Sequence, residues 1–146
     1  MTSKDFFRFS AEAIELRKAY RARLADAQAL LEKGRFAGAV LMATYAIEIL
    51  LKCLVCKAIH EPALPRAFHV HELEGLLVVA GVRKRLNNPR NSAVKKNWQS
   101  VVDQARFALE YRYQPDGAVS KTEANDFLEK LTDSKAGVIP WLERYL

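Results

Sequence analysis

The sequence predicts an all-α fold, an up-and-down bundle of about five helices with a central apolar helix. Three observations carry this. Residues 36–51, FAGAVLMATYAIEILL, hold one charge, Glu48, and are closed by Arg35 and Lys52. A helix that is apolar on every side must be covered on every side. At a 3.6-residue period Phe36, Val40, Ala43, Ile47, Leu50 and Leu54 form one stripe, and Ala39, Met42, Ala46, Ile49 and Cys53 form a second. Half the residues are hydrophobic, with only six Gly and five Pro, which suits a compact helical chain. No segment alternates apolar and polar residues as a half-buried strand would.

The first helix reads over about residues 10–33, where Ile14, Leu16, Tyr20, Leu24, Ala27, Leu30 and Leu31 give an amphipathic pattern and Gly34 stops it. The apolar helix restarts at Arg35 and runs to about Ile59, ending at His60-Glu61-Pro62. So short a joint implies an antiparallel pair. A loop holding Pro62 and Pro65 leads to a third helix over residues 71–80, with Leu73, Leu76, Leu77 and Val79 apolar and Gly81 closing it. After the turn-like Asn87-Asn88-Pro89, a fourth helix carries Trp98, Val101, Val102, Ala105, Phe107 and Leu109 and ends near Tyr111. Gln114-Pro115-Asp116-Gly117 is a turn signal, and Ser120-Lys121-Thr122-Glu123 reads as a capping box. The last helix is expected to run from there to Leu146, bent in its final turns by Gly137 and Pro140.

The 146 residues form one domain, long enough to bury roughly two thirds of the surface its unfolded chain exposes. The apolar run is shorter than the about 20 residues of a membrane helix and carries Glu48 inside it. The N-terminal MTSKDFFRFS lacks the apolar core of a secretory signal. The expectation is a cytoplasmic protein with no membrane span.

The net charge of +6 has a location. Arg83, Lys84, Arg85, Arg90, Lys95 and Lys96 fall within residues 83–96, where there is no acid, and the rest of the chain balances. Such a focused patch is what phosphate contacts require, although a solvated loop accounts for the same run.

Three constellations bear on chemistry. Cys53-Leu54-Val55-Cys56, followed by His60, His69 and His71, sketches a Cys/His metal site. Structural zinc ligands usually sit on turns, whereas both cysteines here fall inside an apolar helix, so small buried thiols are the simpler account and no metal or other cofactor is expected. Arg66 and His71 bring a cation and a general acid–base group together ahead of a helix, the parts a phosphodiester cleavage needs; His69 and His71 on solvent or packed against the first helix is the plain alternative. Glu48 and Lys52 are spaced i, i+4 as a helix ion pair. An unpartnered buried carboxylate costs several kcal/mol, roughly, and Arg112, flanked by Tyr111 and Tyr113, is a second cation able to meet Glu48 from the end of the bundle. Arg112 facing a ligand phosphate is the other possibility.

Read together, residues 30–52 (LLEKGRFAGAVLMATYAIEILLK), the His71-Glu72-Leu73 start with Leu76-Leu77, the Trp98 helix, and Arg112-Tyr113 ahead of a Pro and a closing helix resemble the HEPN family. The resemblance is most specific at Gly34-Arg35-Phe36, Ala39, Tyr45, Ala46, Glu48 and Lys52. It implies a helical bundle that usually dimerises. Many HEPN proteins resemble one another further as metal-independent ribonucleases with a late Arg-x4-6-His motif, often paired with a minimal nucleotidyltransferase in toxin–antitoxin modules. Here no histidine follows His71, and Lys95 stands where Arg90 would want one. The chain is thus similar to the branch lacking that motif, for which nucleotide binding is the proposed activity.

The resulting expectation is a non-catalytic, homodimeric module that binds a nucleotide or other phosphate-bearing ligand. Its contacts would be Arg112, Arg90, Lys95 and Lys96, with Tyr113 or Tyr111 as a stacking surface. The alternatives are a ribonuclease using Arg66 and His71, and a protein-interaction partner in a toxin–antitoxin or defence pair.

Overall fold

The computed structural model describes residues 12–115 and 117–146. The start of the first helix near Ser10, the N-terminal MTSKDFFRFS and Asp116 of the expected turn lie outside the described residues. Within them are six α-helices: α1 (Ala13–Glu32), α2 (Phe36–Ala58), α3 (Leu73–Val79), α4 (Ser92–Ala108), α5 (Lys121–Thr132) and α6 (Val138–Glu143). Four short segments of 3-10 helix, Arg66–Phe68, Arg83–Asn87, Pro89–Asn91 and Leu109–Tyr113, link them. No strand occurs among the described residues; the one isolated bridge, Glu12 to Ala63, ties the start of α1 to the segment after α2.

Gly34 ends α1 as expected, because its φ of +75° lies in the left-handed region that costs a Cβ-bearing residue energy. The Gly34 amide donates to Leu31 O at 3.1 Å and the Arg35 amide to Leu30 O at 2.9 Å. These two bonds reverse the chain in one step and lay α2 antiparallel on α1. His60 closes α2 in the same way, with φ +57° and the Glu61 amide donating to Cys56 O at 3.0 Å, although it is not a glycine.

α2 is the hub, packed by every other helix of the bundle. Ala39, Ala43, Ala46, Ile47, Leu50, Leu51 and Val55 are fully buried. The whole helix has 23 residues, longer than the apolar run, and by length and hydropathy it is able to span a bilayer; 78 % of its most apolar window is instead buried inside the bundle. Its cover is incomplete on one side, where Leu41, Tyr45 and Ile49 are half-buried.

The last helix differs from expectation. It is two helices, α5 and α6, separated at residues 133–137. Asp133 makes the break: its Oδ2 accepts the Lys135 and Ala136 amides at 3.1 and 2.8 Å, and its carbonyl accepts Gly137 N at 2.8 Å. Pro140 is not the cause of a bend. It stands in the first turn of α6, where an amide would have no intrahelical acceptor and proline is tolerated. The capping box is present in its N-cap half, with Ser120 Oγ accepting Glu123 N at 3.1 Å.

Candidate functional site

Between α2, the start of α3 and the second half of α4 lies a cleft of about 330 Å³. Thr44, Tyr45 and Glu48 form its α2 wall, residues 71–74 its second, and Val102, Ala105, Arg106 and Leu109 its third. The volume is at the small end of ligand pockets, and the mix of apolar walls with a few polar groups is typical of them.

Its centre is Glu48. The residue is 7 % exposed; Oε1 lies 2.6 Å from His71 Nδ1 and Oε2 accepts from Lys52 Nζ at 3.4 Å. The i, i+4 pairing with Lys52 is as the spacing predicts. The rest differs from the expected Arg112 pairing: the second partner is His71, which stands mostly on solvent as well. Arg112 instead donates from Nε to Leu109 O at 2.9 Å and lies 5.1 Å from the centre of the Tyr113 ring. With Nδ1 donating to the carboxylate, neutral His71 is fixed as the tautomer whose Nε2 is left to accept a ligand proton. The His71 side chain is 63 % exposed, so that nitrogen is reachable.

The local sequence explains why His71 sits there. α3 begins at Leu73, later than predicted, because Glu72 is the N-cap: its carboxylate accepts the Glu74 and Gly75 amides at 3.1 and 2.7 Å. His71 therefore directly precedes the cap, with its side chain meeting Glu48 on α2. One residue into the helix, Glu74 accepts Trp98 Nε1 at 2.7 Å and Arg83 Nε at 3.2 Å. Three neighbouring residues thus tie α3 to α2, to itself and to α4, and this fixes the mouth of the cleft.

The other expected site residues are dispersed. Arg66 is exposed on its own 3-10 turn and does not line the cleft. Arg90, Lys95 and Lys96 stand at the start of α4, where Lys95 Nζ donates to Asn87 Oδ1 at 3.1 Å. Arg112 and Tyr113 stand beyond its other end. α4 ends at Ala108, so about 18 Å of helix separates even Lys96 from the far end, too far for the phosphates of one mononucleotide. Of the basic segment, Arg83 is held by Glu74 and Arg85 lies 4.8 Å from the centre of the Tyr145 ring. Tyr113 is 82 % exposed, whereas Tyr111 packs on the core and burial raises its pKa.

Sequence reasoning missed Arg106, Tyr45 and Thr44 as cleft residues. Arg106 looked like any exposed helix cation, and its 3.9 Å contact to Asp103 is a surface pair. The available signal was its i−4 neighbour Val102 and i+3 neighbour Leu109, which share its face.

Cys53 and Cys56 are both buried, free thiols. Burial, reinforced by the neighbouring Cys56, pushes the Cys53 thiol up to about 12, so near neutral pH it is held as a neutral thiol packed in the core.

A model of the HEPN domain family matches residues 15–133, from the first turns of α1 to the end of α5, and so includes every residue of the cleft. No curated protein and no solved structure matches the chain.

Proposed function

This chain belongs to the HEPN family, whose activities are generally related to nucleotides and RNA, and on that premise we propose that it is a nucleotide-binding module whose site is the Glu48–His71 cleft. The observation that carries the reading is a buried carboxylate on the central helix holding an exposed imidazole at the mouth of a cleft with apolar walls. Base and sugar pack between Tyr45, Leu73, Val102 and Leu109. Arg106, with its side chain 70 % exposed, takes the phosphate at the rim, and Arg112 lies just past it, tied to the backbone of Leu109. Neither needs to leave a buried ion pair to do so.

The test is thermal unfolding with a panel of nucleotides and a short RNA, with the RNA run on a gel afterwards. A ligand at about 100 times its dissociation constant adds about 2.7 kcal/mol to the folded state. A shift of several degrees with intact RNA, lost in Arg106→Ala, is the expected result. The absence of any shift for any ligand contradicts the reading.

One observation favours a second reading. A histidine oriented through Nδ1 by a carboxylate is an acid–base arrangement, and with Arg106 in the same cleft it supplies the parts of a ribonuclease. That enzyme would use Arg106 in place of Arg66. It predicts RNA cleavage in the presence of a chelator, abolished by His71→Ala.

Self-association belongs to the same proposal. Leu41, Tyr45 and Ile49 follow one stripe of α2 and are left half-covered, an apolar face suited to a second copy. Light scattering of wild type and Leu41→Lys tests it: a dimer that the substitution dissociates is expected, and a wild-type monomer refutes it.

A further inference from the structure

Resting on the reading of the cleft as a base-binding site, we propose that it selects guanine and that Glu48 is the residue that reads the base. Glu48 lines the cleft and is more than nine-tenths buried. Its two oxygens are unequally engaged: Oε1 is 2.6 Å from His71, whereas Oε2 has only Lys52 at 3.4 Å, longer than the roughly 2.7–2.9 Å of a full charge-assisted bond. Oε2 thus retains accepting capacity.

The neighbouring acceptors are already engaged or point the same way. Both oxygens of Glu72 accept α3 amides, and those of Glu74 accept Trp98 and Arg83. Thr44 Oγ1 donates its proton to Val40 O at 2.8 Å, so toward a ligand it is an acceptor only. The inner wall of the cleft therefore offers a carboxylate and a hydroxyl lone pair, while Arg106 stands at the rim.

Such a wall suits a base that presents two adjacent donors. Guanine carries N1–H and N2–H side by side on its Watson–Crick edge, one to donate to Glu48 Oε2 and the other to the Thr44 hydroxyl oxygen. Adenine and cytosine each place a ring-nitrogen lone pair next to their amino group. Uracil places its one N–H between two carbonyl oxygens. Each of those three sets a lone pair against the carboxylate, and a site built on polar pairing rejects a ligand that leaves it unpaired.

The experiment is titration calorimetry of the full chain with GMP, IMP, AMP, CMP and UMP at one salt concentration. GMP is expected to bind at least about tenfold more tightly than AMP, CMP or UMP, with IMP between them because hypoxanthine keeps N1–H and lacks the amino group. In Glu48→Gln, checked for an intact fold by its melting curve, GMP falls to the affinity of AMP, since a carboxamide turns a donor toward the base. The GMP-to-IMP ratio of the wild-type chain needs no variant, so the proposal stays testable if Glu48→Gln fails to fold. Equal affinity for GMP and AMP overturns guanine selection and leaves the cleft as a base site. Binding by none of the five overturns the nucleotide reading beneath it.

Discussion

Glu48 on α2 and His71 ahead of α3, 23 positions apart in the chain, meet through a 2.6 Å contact between Oε1 and Nδ1. The contact joins two of the segments that carry the family resemblance and makes them one site. It also answers how a carboxylate is kept inside an apolar helix. The charge faces an imidazole on one side and an ammonium on the other, at an edge of α2 that a cleft opens to solvent.

Removing the imidazole leaves that carboxylate with Lys52 alone. We expect His71→Ala to cost about 1–2 kcal/mol, at the low end of the roughly 1.5–3 kcal/mol of a hydrogen bond to a charged group or just below it, because the side chain itself is mostly exposed. Urea unfolding checks it: the midpoint falls with the slope unchanged. A surface histidine without this role would leave the midpoint where it was.

His60 closes α2 in the left-handed conformation, which costs a non-glycine residue about 1–2 kcal/mol. His60→Gly removes the Cβ clash while adding freedom to the unfolded chain. A net gain of roughly 0.5–1 kcal/mol is expected, seen as a melting temperature about 2–4 °C higher.

The two cysteines give the fold an alkaline limit. Burial raises the Cys53 thiol from 9.0 to about 12 and raises Cys56 in the same direction. A group whose folded pKa is raised stabilises fully below its unfolded value and loses that contribution as pH rises through the folded one. Stability should therefore decline between about pH 9 and pH 12, and Cys53→Ala should flatten the decline. Native protein near neutral pH should resist thiol reagents that label both cysteines in denaturant.

Gly137 is required by its neighbours rather than by its φ of −67°. A Cβ there would meet the Asp133 carbonyl oxygen and stand 2.6 Å from the Asp133 nitrogen, backbone atoms that cannot step aside. Gly137→Ala should cost about 1–3 kcal/mol, as overpacking does, with Pro140→Ala close to neutral by the same unfolding assay.

Much of the fold was legible because its signals are local. The apolar stripes of α2, Gly34, Gly81 and Ser120 each act on a few neighbouring residues, and each is where periodicity and capping rules put it. The split between α5 and α6 was misassigned because Pro140 is a conspicuous helix breaker. Asp133, whose side chain turns the chain over three residues, reads as an ordinary surface acid. The site was half legible. That Glu48 needs a partner follows from burial, but which cation or imidazole supplies it depends on how α3 is aimed, and Glu72 sets that through a cap that looks like part of the helix. Arg106 was not legible as a site residue, since only the packing of α4 against α2 and α3 decides which of its cations borders a cleft. The basic run at residues 83–96 misled in the opposite sense: Arg83 and Arg85 are engaged by Glu74 and Tyr145 within the fold.

Nucleotide binding in the Glu48–His71 cleft is tested most directly by amide chemical-shift mapping of the isotopically labelled chain titrated with GMP. Saturable shifts concentrated at Thr44, Tyr45, His71, Leu73, Arg106 and Leu109 are expected. Shifts confined to Arg90, Lys95 and Lys96, with the cleft unmoved, would contradict it and place the ligand on the basic end of α4.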